Sequence, residues 1–179
     1  MLSNVLKSHK PAAVYTFVPN KQPAIIKQLN SIIFDSKDKL HKNYTDIDWN
    51  QFSAVSVYFR NNAIVGFSSV WHRSEFYEPK EARILSRYYE FSKMRRTSKI
   101  IADSHLIEMI KQQIAISQQL GFAKVFISRE KTPKYFTKLI QQISIKTQRQ
   151  WILEPQKVCV CKPSNFSCWQ YKAWTDLSI

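Results

Sequence analysis

Glycine is nearly absent from the sequence, with only Gly66 and Gly121 among 179 residues. A glycine-rich loop that wraps around phosphates needs several glycines close together, so such a loop is excluded. No apolar run approaches the roughly 18 residues of a membrane span, and the N-terminal segment MLSNVLKSHKPAA is too polar for a signal peptide. We therefore expect a soluble protein of the cytoplasm, with no membrane partner.

Cysteine is also scarce: Cys159, Cys161 and Cys168 are the three in the chain. An odd number of closely spaced cysteines is a poor basis for a set of disulfides. Zinc could bind a Cys-x-Cys pair with a third cysteine, but no nearby histidine supplies the usual fourth ligand. Cys159 and Cys161 alternate in a strand-like run, so we favour small buried residues over a metal site.

Acidic residues are outnumbered by basic ones, 13 against 27, which gives a formal net charge of +14. Such an excess attracts polyanions and speeds their encounter, so it favours nucleic acid, nucleotide cofactors or acidic protein surfaces as partners. A generally basic surface without a dedicated partner is the alternative. Hydrophobic residues make up 44% of the chain, enough to form a core, and the length favours one domain over residues 1–179.

The spacing of apolar residues predicts a mixed order of strands and helices. The predicted strands cover residues 13–19, 52–59, 63–71, 82–91, 123–128, 151–160 and 168–174, and the predicted helices cover 22–34, 103–120 and 133–143. Residues 35–50 hold either a short helix or a surface loop. Asn61 and Asn62 favour a tight hairpin turn, and Asp103 or Ser104 is a candidate cap for the long helix that Gly121 ends.

Three segments, ARILSRYYEF, LGFAKVFISRE and SCWQYKAW, and the order of elements resemble the Gcn5-related N-acetyltransferase (GNAT) fold. In particular they resemble GNAT-like proteins of tailed phages. The resemblance implies an α+β fold with a mixed, mostly antiparallel central sheet of about seven strands and helices on both faces. It also implies a slot, between residues 88–93 and 125–128, where the pantetheine of acetyl-CoA or another acyl-CoA lies like an added strand. Ser128 is a candidate cofactor-binding residue there.

The resemblance further implies a basic turn that binds the cofactor's pyrophosphate at a helix N-terminus. The candidate residues are Arg95, Arg96, Thr97, Ser98 and Lys99. Both glycines of the family pattern are missing and Asp103 adds a negative charge, which weakens the case for binding through the backbone. The basic side chains could bind the phosphates directly. The alternative is a solvated basic turn.

The chemistry implied by the resemblance is attack of a neutral amine on a thioester. Tyr135, in the first turn of the helix after the parallel strand, is the candidate acid for the leaving thiolate, and a packing role is the alternative. His72 and Glu90 are candidate bases, ahead of Glu75, because histidine titrates near neutrality and a carboxylate can act directly or through water. None of the three is marked by a motif, and a surface or ion-pairing role is the commoner one for each.

Three functions remain open at this level. The first is an acyltransferase acting on an amine, including one carried by a nucleic acid. The second is an inactive GNAT-shaped scaffold that binds nucleic acid or a virion component, and the third is an inhibitor of a host protein. Aromatic and basic residues alternate over 83–89 and 169–174, which suits base stacking beside phosphates but more commonly marks a sheet with arginine on its wet face.

Overall fold

The computed structural model describes residues 12–35, 48–71, 81–84, 89–90, 99–129, 133–159 and 169–178. The strands of this part are β1 (Ala12–Phe17), β2 (Phe52–Arg60), β3 (Ala63–Trp71), β4 (Glu81–Ile84), β5 (Tyr89–Glu90), β6 (Lys124–Arg129), β7 (Ile152–Leu153), β8 (Val158–Cys159) and β9 (Trp169–Asp176). Its helices are α1 (Pro23–Asp35), α2 (Lys99–Gln119) and α3 (Pro133–Thr147), and 3₁₀ turns cover Pro19–Lys21 and Trp49–Gln51. None of these helices is long and apolar enough to cross a membrane.

The sheet is mixed, with the order β1-β2-β3-β4-β6-β9-β7. Strand β5 pairs beside β3, and β8 pairs beside β9. Only β4 and β6 run parallel among the described pairs; the others are antiparallel. This arrangement confirms the predicted α+β class, with seven strands on the main path and two short ones beside it.

Helices cover both faces of the sheet because alternate residues of each strand point to opposite sides. One face packs against α1 through the buried residues Ile25, Leu29, Ile33, Val55, Val57, Phe59 and Phe67. The other packs against α2 and α3 through Ala54, Met109, Ile110, Ile114, Val125, Ile127, Phe136, Ile140 and Ile143. The apolar stripes of α1 and α3 repeat every three to four residues, as expected for helices with one buried side.

A buried polar network joins α2 to the sheet. Gln113 Nε2 donates a hydrogen bond of 2.9 Å to Ser56 Oγ, and the hydroxyls of Ser56 and Thr16 lie 2.7 Å apart. All three residues are buried. The sequence did not predict this network because its members come from three elements far apart in the chain.

Two boundaries predicted from the sequence, the β2–β3 hairpin turn and the end of α2, are confirmed. Asn61 and Asn62 make the hairpin turn with φ of 49° and 65°, and Gly121 ends α2 with φ of 86°, each in the left-handed region expected there. Strand β6 is buried from Val125 to Ser128, as expected for a strand in a sheet that helices cover on both faces.

Two predicted boundaries are wrong. Helix α2 begins at Lys99, so Asp103 and Ser104 lie inside it and not at its start. The strand predicted over residues 151–160 is two short strands, β7 and β8, separated by residues 154–157. Strands β4 and β5 lie at the two ends of the strand predicted over residues 82–91, and residues 85–88 lie outside the described part. The alternation of side chains predicted that these segments contain strands, but where a strand ends also depends on its pairing with strands far away in the sequence.

Candidate functional site

The parallel strands β4 and β6 pair over only three residues. Their partners are Glu81 with Lys124, Ala82 with Val125, and Arg83 with Phe126. Beyond this point β6 continues to Arg129, still paired with β9. Strand β5, the next described piece of the chain after β4, pairs with β3. Within the described residues, the pairing of the two parallel strands ends at Arg83 and Phe126.

Strands β4 and β5 both pair with β3, and the register of this pairing changes between them. Ile84 pairs with Val70, and Tyr89 pairs with Phe67. The chain advances five residues from Ile84 to Tyr89 while β3 moves back three, so the β4–β5 side carries two extra residues. Extra residues in one strand bend it and interrupt its pairing, and such irregularities are common beside active sites. Residues 85–88 lie outside the described part.

An ion pair between Glu81 and Lys172 lies beside the paired residues of β4 and β6. Lys172 Nζ lies 3.3 Å and 3.2 Å from the two carboxylate oxygens of Glu81, and 4.4 Å from the ring centre of Phe126. The pair links β4 to β9 across β6. The two side chains are only 14% and 16% exposed, so water screens the attraction less than at an open surface.

Removing one partner of this pair should destabilise the protein. We expect Glu81→Ala to lower the free energy of unfolding by about 2 kcal/mol, because the Lys172 ammonium would be left shielded without its carboxylate. The double variant Glu81→Leu/Lys172→Leu should stay within about 1 kcal/mol of the wild type, since no charge is then stranded. Urea denaturation measures both. Equal losses in the single and double variants would contradict this account.

Ser128 lies on β6, two residues beyond Phe126, the last residue of β6 that pairs with β4. Its side chain is 1% exposed, and its hydroxyl donates a 2.6 Å hydrogen bond to Gln170 Oε1 on β9. The hydroxyl is therefore engaged by the neighbouring strand.

Tyr135 is the third residue of α3 and so lies in its first turn, six residues after the end of β6 at Arg129. Its side chain is 60% exposed, whereas the next residue, Phe136, is 1% exposed. Phe136 and the other buried residues of α3 therefore make its contact with the protein core, and Tyr135 contributes little to packing.

The remaining predicted site residues are only partly described. Glu90 lies in β5 with its backbone opposite Gly66, and Lys99 is the first residue of α2. His72, Glu75, Arg95, Arg96, Thr97 and Ser98 lie outside the described residues. Glu90 thus lies on β5 and Ser128 on β6. The Glu81–Lys172 pair was missed, since nothing in the sequence links residues 91 positions apart.

No family model and no curated protein sequence matches the chain. Solved structures do match it. Aminoglycoside 6'-acetyltransferase type Ii superposes with a TM-score of 0.57 at 7% identity, over 93% of this chain and 98% of that one. The ribosomal-protein-S18-alanine N-acetyltransferase from Escherichia coli gives 0.52 at 8% identity, over 94% and 95%. The chain has the GNAT fold. The IAA acetyltransferase from Bacillus cereus ATCC 14579 agrees, with a TM-score of 0.51 at 7% identity over 92% and 99%.

Identities this low establish the GNAT fold alone, because one fold can carry many activities. The three similar structures are each named as acetyltransferases. The slot that the resemblance implies, between residues 88–93 and 125–128, would lie beyond the parallel pair β4 and β6.

Proposed function

We propose that the protein is a GNAT-type acyltransferase that moves an acetyl or other acyl group from acyl-CoA to an amine. The observation that carries this proposal is that the described pairing of β4 with β6 ends at Arg83 and Phe126, while β6 continues to Arg129 and β5 pairs with β3. We infer that the two parallel strands diverge beyond this point. Two diverging strands present main-chain edges to the space between them, and an extended ligand with amide groups can pair there like an added strand. The pantetheine arm of an acyl-CoA has this form.

The phosphates of the cofactor would lie at the start of α2. Because this helix begins at Lys99, the basic segment formed by residues 95–99 runs directly into a helix N-terminus, where unpaired N–H groups and the helix dipole favour negative charge. The same boundary moves Asp103 one turn into the helix, away from the first N–H groups. Arg95, Arg96 and Lys99 would supply charge, and Thr97 and Ser98 hydroxyl donors.

Acyl-CoA supplies the activated thioester, and the residues of this chain move the protons. The amine nitrogen bonds to the acyl carbon while the carbon–sulfur bond breaks. The proton lost by the amine goes to Glu90 or His72, directly or through water, and the Tyr135 phenol gives its proton to the departing sulfur. The exposure of Tyr135 supports this role, since a phenol buried in the core could not reach a ligand.

Thermal denaturation with acetyl-CoA tests the proposal. A ligand at about a hundred times its Kd stabilises the folded state by about 2.7 kcal/mol, so acetyl-CoA should raise the melting temperature by several degrees. Free thiol should then be released when amines such as a polyamine, an aminoglycoside or a peptide N-terminus are added. No calorimetric heat and no thermal shift at millimolar acetyl-CoA would contradict the enzymatic proposal.

A non-catalytic scaffold that binds nucleic acid or a virion component is the second candidate. It is favoured by the net charge of +14 and by a phosphate-binding segment that contains no glycine between residues 94 and 103. Such a protein should bind nucleic acid in a salt-dependent way without releasing thiol from acetyl-CoA. If both activities are found, an amine carried by nucleic acid becomes the acceptor to test first.

A further inference from the structure

A cationic groove lies between α2 and the end of α3, at the opposite end of α3 from Tyr135. Its volume is about 290 Å³, and Lys111 of α2, Lys146 of α3 and Arg149 just beyond α3 line it. Gln118 and Gln148 add amide groups to the lining. Lys111, Lys146 and Gln148 are exposed, so the groove is open to solvent and accessible to a large partner.

Arg149 is held in place while its charge stays available. Its Nη1 donates to the main-chain carbonyl of Asp176 at 3.3 Å, and its Nη2 donates to Gln118 Oε1 at 3.4 Å. Both acceptors are uncharged, so they orient the guanidinium without neutralising it. The Asp176 carboxylate accepts hydrogen bonds from the hydroxyl and N–H of Ser178, which lower the pKa of that carboxyl. Among the described residues, none of those that line the groove is acidic.

A row of basic residues leads along α3 to this groove. Lys134, Lys138, Gln142 and Lys146 follow one another at four-residue spacing, which places them on one side of the helix, and all four are exposed. No acidic residue occurs in α3. With a rise of about 1.5 Å per residue, the row extends about 18 Å. Like charges four residues apart disfavour a helix, so the row weakens α3 unless an outside anion neutralises it.

We propose that the outer face of α3 and the α2–α3 groove form a docking surface for the phosphodiester backbone of a nucleic acid. Lysines would bind phosphates as point charges, Arg149 would present a planar fork of donors, and the glutamine amides would add neutral hydrogen bonds. The surface is independent of the acyltransferase proposal, because it uses neither the proposed acyl-CoA slot between residues 88–93 and 125–128 nor Tyr135.

A nucleic acid fits this surface better than a membrane does. An amphipathic helix that binds a bilayer must bury its apolar side among the lipids. The apolar side of α3, formed by Phe136, Leu139, Ile140 and Ile143, is already buried in the protein core. What α3 offers to a partner is mainly charge, and a phosphate backbone can be bound by charge alone.

Fluorescence anisotropy with a labelled DNA duplex of mixed sequence tests the proposal across a range of salt concentrations. The test variant is Lys111→Gln/Lys138→Gln/Lys146→Gln. The control is Lys21→Gln/Lys27→Gln/Lys157→Gln, three exposed lysines on other elements. Each variant changes the net charge from +14 to 14 − 3 = +11. Thermal melting of both variants establishes that they are folded.

The test variant should bind the duplex at least about tenfold more weakly at low salt. Its plot of log K against log salt should lose about 0.9 in slope for each lost phosphate contact, about two to three in total. The control should keep most of the wild-type slope. Equal losses in both variants would overturn the proposed surface, as would absence of binding by the wild type at low salt. Binding to phosphatidylserine vesicles that depends on the three test lysines, without duplex binding, would overturn it in favour of a membrane surface.

Discussion

Replacing Tyr135 by phenylalanine is expected to lower kcat for acyl transfer by about a hundredfold, because loss of one proton donor removes that much from an acid–base-catalysed step. The KM for acetyl-CoA should change little, since the phenol proton is transferred only as the carbon–sulfur bond breaks. Stability should also stay unchanged, because the side chain is 60% exposed. Steady-state kinetics of thiol release and a thermal melt measure the three quantities.

Tyr15→Phe is the matched control for this variant. It likewise removes a phenolic oxygen, that of Tyr15, which in the wild type accepts a 3.0 Å hydrogen bond from Gln22 on the α1 side of the protein. Activity should be retained in the control. If Tyr135→Phe kept activity within about twofold of the wild type, the leaving sulfur would have to receive its proton from another donor.

Phe136→Ala is expected to lower the free energy of unfolding by about 3–5 kcal/mol, the usual loss when a buried aromatic ring is removed and a cavity is left. Phe136 is 1% exposed and packs in the core that joins α2 and α3 to the sheet. Loss of this magnitude is a large part of the stability of an ordinary domain. Urea denaturation at neutral pH gives the value.

The neighbouring residue provides the control for Phe136. Tyr135→Ala removes a ring of similar size from the next position along α3, but we expect a loss below about 1 kcal/mol because that ring is largely in water. Similar losses for the two variants would mean that the orientation of α3 described above is wrong.

Local chemistry predicted much of the fold correctly. Asn61 and Asn62 are among the few residues that accept positive φ, so the hairpin turn between β2 and β3 could be located from the sequence. The three-and-four spacing of Phe136, Leu139, Ile140 and Ile143 defines the buried side of α3. The exposure of Tyr135, four residues before Leu139, could not be predicted from this spacing.

The features that form the candidate site depend on distant partners. Asp103 and Ser104 have side chains that often cap helices, but α2 already starts at Lys99. The preference of single residues for a cap position does not by itself fix where a helix begins. The change of register between β4 and β5 against β3 depends on how these segments pair with a distant strand, which side-chain alternation does not predict. The Glu81–Lys172 pair and the α2–α3 groove likewise exist only once remote elements meet.

A crystal structure of the protein with coenzyme A bound tests the central claim most directly. The account predicts that the pantetheine arm lies between β5 and the end of β6, beside Ser128, with the pyrophosphate at the start of α2 near Lys99. Strands β5 and β6 joined by direct main-chain hydrogen bonds, or the cofactor bound elsewhere on the protein, would contradict it.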